Sequence, residues 1–375
     1  YNCPVVATYP ELIDKNMADF FFDENVEFYH PFIPYDDDER MAEEFVKFFA
    51  GTRNIDIAST ENIVKNFNLG DDKRNYGLYH MYISRGEIRK AINDGRSSYF
   101  SFKDEMKRQG RAALAYIEDH GQKGVVLCGR PYHVDPEINH GIDNVIIQQD
   151  MAVLTEDSVS WMVDNARPIR ILDQWVYHSR LYKAAIVVGQ RDDLELVQLN
   201  SFGCGLDAVT TDEVDELLTA NNKLYTVLKI DEGSNLGAAR IRIRSLKAAV
   251  SERDKNENLP KSTKTFAPYT RVKFTKKMKK EGYTLLVPQM SPIHFKYFVP
   301  IMRKAGYNAV LLPESTKNSE EEGLKYINND ACYPTIVTLG QIISALKSGE
   351  YDLNKTGVFM SQTGGGCRAS NYVSL

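Results

Sequence analysis

The chain has 375 residues, 43% of them hydrophobic and 26% charged, and a formal net charge of −5. That is globular composition, so a disordered or collagen-like chain is excluded, and the length suggests two or three domains. Apolar runs reach only about five to seven residues, too short for a bilayer span, and the slight acidic excess argues against a nucleic-acid binder.

Five scattered cysteines, an odd number, do not form a secreted disulfide framework and point to a reducing, cytoplasmic compartment. The chain begins at Tyr1 and stops at Leu375 just after a glycine-rich loop. The expectation is a piece of a longer protein.

Taken in order, residues 1–70 start at Cys3-Pro4 and hold short helices. One is expected from Asp37 to Ala50, with Met41, Phe45, Phe48 and Phe49 at helical spacing, Asp36 to Asp38 as N-caps and Gly51 as stop. Arg85 to Asp119 reads as two long helices. From Gly124 the pattern turns to strand and helix in alternation. Strands are expected at Gly124–Cys128, Ala152–Leu154, Leu194–Leu199 and Leu224–Ile230. Helices are expected at Glu137–Met151, from Ile169 to about 187, at Asp212–Thr219 and at Leu236–Ala249. The polar stretch 256–270, with Pro260 and Pro268, reads as a linker. Beyond it come strands at Thr284–Val287, Ala309–Leu312 and Gly357–Met360, and helices at Ile293–Lys304, 319–327 and 334–347. Such alternation means parallel α/β units. The expected architecture is a helical region over 1–120 and Rossmann-like α/β lobes over 121–255 and 271–375.

The sequence has no Gly-x-x-x-x-Gly-Lys-Ser/Thr loop, no His-Glu-x-x-His helix, no Gly-x-Gly-x-x-Gly after a strand and no Cys-x-x-Cys pair. Phosphate-loop, zincin, dinucleotide and zinc-ribbon readings fall with them. Four cysteines remain in unusual settings. Cys3 and Cys332 stand beside proline-bearing helix starts, where the helix dipole favours a thiolate. Cys204 and Cys367 lie in loops after strands, beside Gly203, Gly205, Gly365 and Gly366. Those glycines let backbone N–H groups approach a bulky anion such as an iron–sulfur cluster. The alternative for each cysteine is a small buried hydrophobe, and Cys128, which ends the run Val125-Val-Leu127, is assigned there.

A second constellation, Gly129-Arg-Pro-Tyr-His-Val-Asp-Pro136, leaves a strand at the carboxyl edge, where α/β ligands bind. Arg130, His133, Asp135 and His140 are its candidates for binding a charged group or moving protons, against a plain hydrogen-bonded loop. A third begins at Lys229-Ile-Asp-Glu-Gly233. Ser234 or Asn235 is expected to cap the next helix, with Arg240, Arg244 and Lys247 on one face, for an anion, an acidic partner or solvent. The five lysines from Lys273 to Lys280 read as an exposed helix face.

Together the blocks Cys3-Pro-Val-Val-Ala-Thr-Tyr-Pro10, Gly129-Arg-Pro-Tyr-His133, Ser201-Phe-Gly-Cys-Gly205, Lys229-Ile-Asp-Glu-Gly233, Asn328-Asn-Asp-Ala-Cys-Tyr-Pro334 and Gly364-Gly-Gly-Cys-Arg-Ala-Ser-Asn-Tyr372 resemble the acyl-CoA dehydratase activase-related proteins. In those proteins ATPase activase modules precede a region similar to the 2-hydroxyacyl-CoA dehydratase subunits, and this chain looks like that region. The resemblance implies Rossmann-like lobes around a cysteine-ligated cluster. Dehydratase subunits hold a [4Fe–4S] cluster through three cysteines, and double-cubane relatives hold a larger one through six. The matching positions are Cys3, Cys332 and Cys367, with Cys204 as a further candidate. Four ligands fall short of six, so a double cubane would draw on cysteines outside this chain. The implied partners are activase modules fused upstream, with an acyl-CoA ester as substrate and neither nucleic acid nor membrane. The enzyme reading is a dehydratase or low-potential reductase. The other readings are a non-catalytic electron-transfer or regulatory partner of the activase, and an α/β scaffold with buried structural cysteines.

Overall fold

The computed structural model describes residues 3–23, 28–51, 84–164, 169–201, 203–230, 233, 236–255 and 272–374. The expected linker at 256–270 and the capping residues Ser234 and Asn235 lie outside them. The chain divides into two compact units: Val5–Met106, and Lys107–Leu375 together with Tyr1–Pro4. No helix among the described residues is long and apolar enough to cross a membrane.

The Val5–Met106 unit is helical. Pro4 opens α1 (Pro4–Asn16), as the cysteine-proline start implies, and α2 (Ala18–Asp23) follows. In α3 (Asp38–Gly51) the Asp37 carboxylate accepts from the Arg40 N–H at 3.0 Å, the expected N-cap. Arg85 then reaches Glu39 and Glu43 at 3.1 and 3.0 Å. These are exposed pairs, each worth under about 1 kcal/mol.

The two helices expected from Arg85 to Asp119 are one, α4 (Arg85–His120). Its glycines do not break it, because no proline stands among them. Gly110 has a packing role instead: a Cβ there would meet the Ser158 carbonyl oxygen at 2.1 Å.

The larger unit holds two parallel sheets. The first has the order β2-β1-β3-β4, formed by β1 (Lys123–Cys128), β2 (Met151–Thr155), β3 (Leu194–Ser201) and β4 (Tyr225–Ile230). Both faces are covered. One packs on Leu114 and Ile117 of α4, on α8 (Val176–Gly189) and on α9 (Gly205–Thr219). The other packs on α6 (Ile142–Ile147) and α10 (Gly237–Lys255). This explains why β3 is buried along almost its whole length rather than alternating.

The helix expected at Glu137–Met151 is broken into α5 (Pro136–Asn139) and α6. His140 and Gly141 between them are left-handed, with φ 56° and 83°, and the Asn139 side chain accepts from the Gly141 N–H at 2.7 Å. An asparagine turn of this kind competes with helix continuation. A short α7 (Glu156–Val159) follows β2.

The second sheet has the order β6-β5-β7, formed by β5 (Thr284–Val287), β6 (Asn308–Leu311) and β7 (Thr356–Val358). Helix α11 (Lys276–Lys280), which buries no residue, precedes it, as the lysine run implied. Helix α12 (Pro292–Lys304) buries Val299 against Val287 and Ala309 on one face. On the other, α14 (Tyr333–Lys347) packs Ile342 against Leu286 and Leu312. Helix α13 (Lys317–Tyr326) lies across α14 at backbone contact.

Both sheets reverse direction in the same way. β1 pairs with β2 on one side and β3 on the other, and β5 likewise with β6 and β7. The crevices of a parallel sheet open at such reversals, beyond the carboxyl ends of the strands. Here those ends lead into Arg130 and Cys204 in the first sheet, and toward Cys367 in the second.

The α13–α14 crossing supplies a test. A Cβ at Gly340 would sit 1.8 Å from the Ser319 carbonyl oxygen and 3.0 Å from the Gly323 N. Gly→Ala inside a free helix gains about 1 kcal/mol, but the overlap is with backbone that cannot swing aside. Gly340→Ala is therefore expected to destabilise by about 1–3 kcal/mol in urea unfolding. An unchanged or raised midpoint would show that the two helices do not cross this closely.

Candidate functional site

The first crevice is built around one carboxylate. Cys204 is the N-cap of α9, which puts Asp207 in the first helical turn, where a negative charge is favoured. Asp207 is 3% exposed. Its Oδ1 accepts from Arg130 Nη2 at 3.1 Å and from His178 Nε2 at 3.3 Å, and its Oδ2 is buried with no hydrogen-bond partner. Burial pushes the carboxyl up, but the His178 bond and the Arg130 guanidinium outweigh it and hold it below the usual carboxylate range. Arg130 also donates to the Cys204 sulfur and, at 2.7 Å, to the Tyr132 hydroxyl. Its Nε is buried and unpartnered.

His133 lies beneath this group, 1% exposed. Its Nδ1 accepts from the Arg130 backbone N–H at 3.1 Å, so the neutral ring carries its proton on Nε2, 3.4 Å from the Ser201 hydroxyl. Gly129 makes room for the ring, since a Cβ there would meet Nδ1 at 2.4 Å. Burial lowers the His133 pKa to about 4. His140 is half-buried at the left-handed end of α5.

The second lobe brings its cysteines to the same helix start. Cys332 is the N-cap of α14, with Pro334 in the first turn. Its sulfur lies 2.9 Å from where a Gly205 Cβ would stand, and the Arg368 Cδ and Nε lie 3.1 and 3.3 Å from the same point. Gly205 is thus required: any side chain there would displace both. Cys367, exposed in the glycine-rich loop, is near enough for its charge to act on Cys332. The thiolate expected at the Cys332 helix start is not favoured. Burial pushes the Cys204 thiol up, with Asp207 adding to it and Arg130 opposing, and burial pushes Cys332 up against the pull of Arg368.

Long-range bonds hold these loops. Lys229 pairs with Asp330 ahead of Cys332, and the Asn328 amide donates to Thr211 of α9 at 3.3 Å. The segment Ile169–Trp175, expected as helix, runs as irregular chain because it clasps the glycine-rich loop. Trp175 Nε1 donates to the Gly366 carbonyl at 3.0 Å, Gln174 to that of Cys367 at 3.3 Å, and the Leu172 N–H to Asn371 at 2.6 Å.

The structure therefore brings Arg130, His133, Gly203, Gly205 and Cys204 to one crevice, with Cys332, Gly366 and Cys367 reaching it from the second lobe. Gly203 turns the chain with φ 64°, and Gly365 lies in the open glycine loop. Cys3 is half-buried just before α1. Cys128 is 1% exposed in the core, as read from its strand. Among the described residues, no three His, Cys, Asp or Glu side chains are grouped closely enough to hold an ion. Sequence reasoning missed Asp207, His178, Trp175, Arg368 and Asn371. Only Asp207 carried a signal, an acid three residues after an N-cap.

Residues 1–159 match the model of a family described as "CoA enzyme activase uncharacterised domain (DUF2229)". The match covers 159 of the 375 residues, and the similarity is of that segment alone. The matched part includes Cys3, Arg130 and His133, whereas Cys204, Cys332 and Cys367 lie beyond it. No curated protein and no solved structure matches the chain.

The His133 environment sets a pH dependence. The folded pKa of about 4 lies below the ordinary 6.5, so the unfolded chain binds the proton more readily. The stability due to neutral His133 is full above about pH 6.5 and is lost as pH falls toward 4, to a total of roughly 3 kcal/mol. His133→Gln, which cannot titrate, is expected to flatten that part of the stability–pH curve in denaturant titrations. Parallel curves for the two proteins would mean that the ring is not held neutral.

Proposed function

We propose that this chain is the dehydratase-like partner of an ATP-driven activase. In this reading it holds a [4Fe–4S] cluster through Cys204, Cys332 and Cys367, with Cys3 as a further ligand, and acts on a CoA ester or a similar small molecule. One observation carries the reading: two helix N-caps and a glycine-rich loop, from two lobes, bring cysteines to the carboxyl edge around Gly205. The activase relationship of residues 1–159 supports the same context.

The donor set fits such a group in kind. Thiols are the ligands iron–sulfur clusters take, and the missing Cβ of Gly205 lets the Cys332 sulfur and Arg368 come up to the helix start that Cys204 caps. When bound, the cluster supplies one-electron chemistry at low potential. The chain's own residues have other tasks. Arg130 and Arg368 bring positive charge to the thiols, and Asp207 with His178 fixes Arg130 in place. Gly203, Gly205, Gly365 and Gly366 let backbone N–H groups approach an anionic body. His133, uncharged at neutral pH, holds the Arg130 loop on Ser201.

Anaerobic reconstitution of the chain with ferrous iron and sulfide tests the reading. Retention of about four irons and four sulfides per chain, with an EPR signal on reduction, is expected. Cys332→Ser should lose it, while Cys128→Ala should keep it. Failure of the unaltered chain to retain iron, or equal loss in both variants, would sink the assignment. Turnover of a 2-hydroxyacyl-CoA with activase, ATP and reductant separates an enzyme from an electron-transfer partner.

A further inference from the structure

Helix α12 has two apolar faces. One, with Val299, is buried on its sheet. The other carries Ile293, Tyr297 and Ile301, aligned at four-residue spacing and 73%, 73% and 64% exposed. A helix that is apolar all round belongs in an interior, and a row of large apolar side chains in solvent marks a contact surface.

The charge around the row says what it meets. Lys296 and Lys304 flank it and have no ion-pair partner among the described residues. Residues 272–304 hold eight Lys or Arg against one acid, Glu281. A second α12 laid on this face would set lysines against lysines, so the face does not pair with itself. Its complement is apolar and acidic.

The chain carries a segment of that kind. Residues 5–51 hold twelve Asp or Glu against three Lys or Arg. Ahead of α3, His30 to Pro34 run as irregular chain, and Phe32 within them is 79% exposed. The segment that carries the ring is fixed. Pro34 is buried, Tyr29 packs edge-on against Phe48 of α3 at 4.6 Å, and Arg96 of α4 lies over the Tyr35 ring at 4.8 Å. Pro31 and Pro34 restrict the backbone on either side of Phe32, so little freedom is left to lose on contact. Asp36 and Asp37, both exposed, follow the ring closely. An exposed aromatic on a pre-ordered segment has the form of an interface anchor.

The dimensions agree as well. Tyr297 and Lys304 stand about 10 Å apart along α12, and the chain from Phe32 to Asp36 spans at most about 14 Å. The ring can therefore lie on Ile293, Tyr297 and Ile301 while Asp36 reaches Lys304. We propose that the Phe32 segment of one molecule docks on the α12 face of a second copy of this chain. In a two-fold pair the contact is made twice. It is a contact between molecules, independent of the cysteine crevice and of the function proposed for it.

Sedimentation equilibrium of the whole chain from about 1 to 100 μM tests the proposal. A monomer–dimer equilibrium is expected, weakened by salt. Phe32→Ala and Tyr297→Ala should each weaken it about tenfold or more. Neither should move the unfolding midpoint of the monomer, because both side chains are exposed. Cys332→Ser should leave association unchanged. Asp36→Lys and Lys304→Glu each place like charges together in a homodimer, so each alone should associate more weakly than the natural chain. An equal mixture of the two should associate again, because in the mixed pair one contact is natural and the other has both charges reversed. The proposal is overturned by a chain that is monomeric throughout, by a dimer that Phe32→Ala or Tyr297→Ala leaves intact, or by a mixture no more associated than either variant alone. Binding of a monomeric chain to phosphatidylserine vesicles, lost in Tyr297→Ala, would assign the face to lipid and equally overturn it.

Discussion

The carboxyl edge of the first sheet is organised by the buried charge of Asp207. An ionised carboxylate removed from water costs several kcal/mol, and the cost is offset only if cations and donors surround it in good geometry. Arg130 and His178 do so, one from the loop after β1 and the other from α8. The Arg130 loop, the α9 start and α8 are therefore tied to one oxygen. The loop has no freedom to drift from Cys204, and His133 is trapped beneath it. The carboxylate also explains why the helix-start position does not make Cys204 acidic. A negative charge one turn along, together with burial, exceeds what the helix dipole and Arg130 return.

Gly205 transmits this arrangement to the second lobe. It opens α9 directly after Cys204, and its missing Cβ is the space in which Cys332 and Arg368 meet. The two sheets share a plan, with β1, β2 and β3 matched by β5, β6 and β7 in pairing order. In each, the chain leaving the third strand carries a cysteine beside glycine. The lobes differ in how that loop is fixed. Cys204 is held by the ion-pair network of its own sheet. The Cys367 loop is held by Trp175 and Gln174, which belong to the first lobe. Tryptophan and glutamine side chains here do what backbone pairing does elsewhere, satisfying carbonyl groups of the loop.

What could be read from the sequence follows the range of the interactions. Thr284–Val287 is a short apolar run with Gly282 on one side and Pro288 on the other, so local pattern delimits it, and the structure has the same bounds. The cysteine settings were legible for the same reason: Cys332-Tyr-Pro334 is a helix start whatever surrounds it. The continuity of α4 was not legible, because Gly110 looks like a breaker until Ser158 is placed against it. Nor was the irregular path of Ile169–Trp175, whose backbone is drawn away from helix by Asn371, far along the chain. Asp207 stood in plain view, but nothing local told that Arg130 and His178 would converge on it.

That division bears on how the site is stabilised. Its cysteines sit on locally determined starts and turns, which persist whenever the sheets form. Their approach to one another depends on long-range bonds that are few and individually modest: Lys229 to Asp330, Asn328 to Thr211, and Trp175 and Gln174 to the glycine loop. A hydrogen bond of this kind contributes about 1 kcal/mol net, far less than the cores of the two sheets. The thiol positions are therefore the low-stability end of a firm scaffold, able to adjust without unfolding β1, β3 or β5. Asp207 marks the limit of that freedom. Opening its group would leave a charge in the interior without a partner, which costs about 3–5 kcal/mol, so the first lobe's half of the edge stays fixed while the glycine-rich half adapts to it.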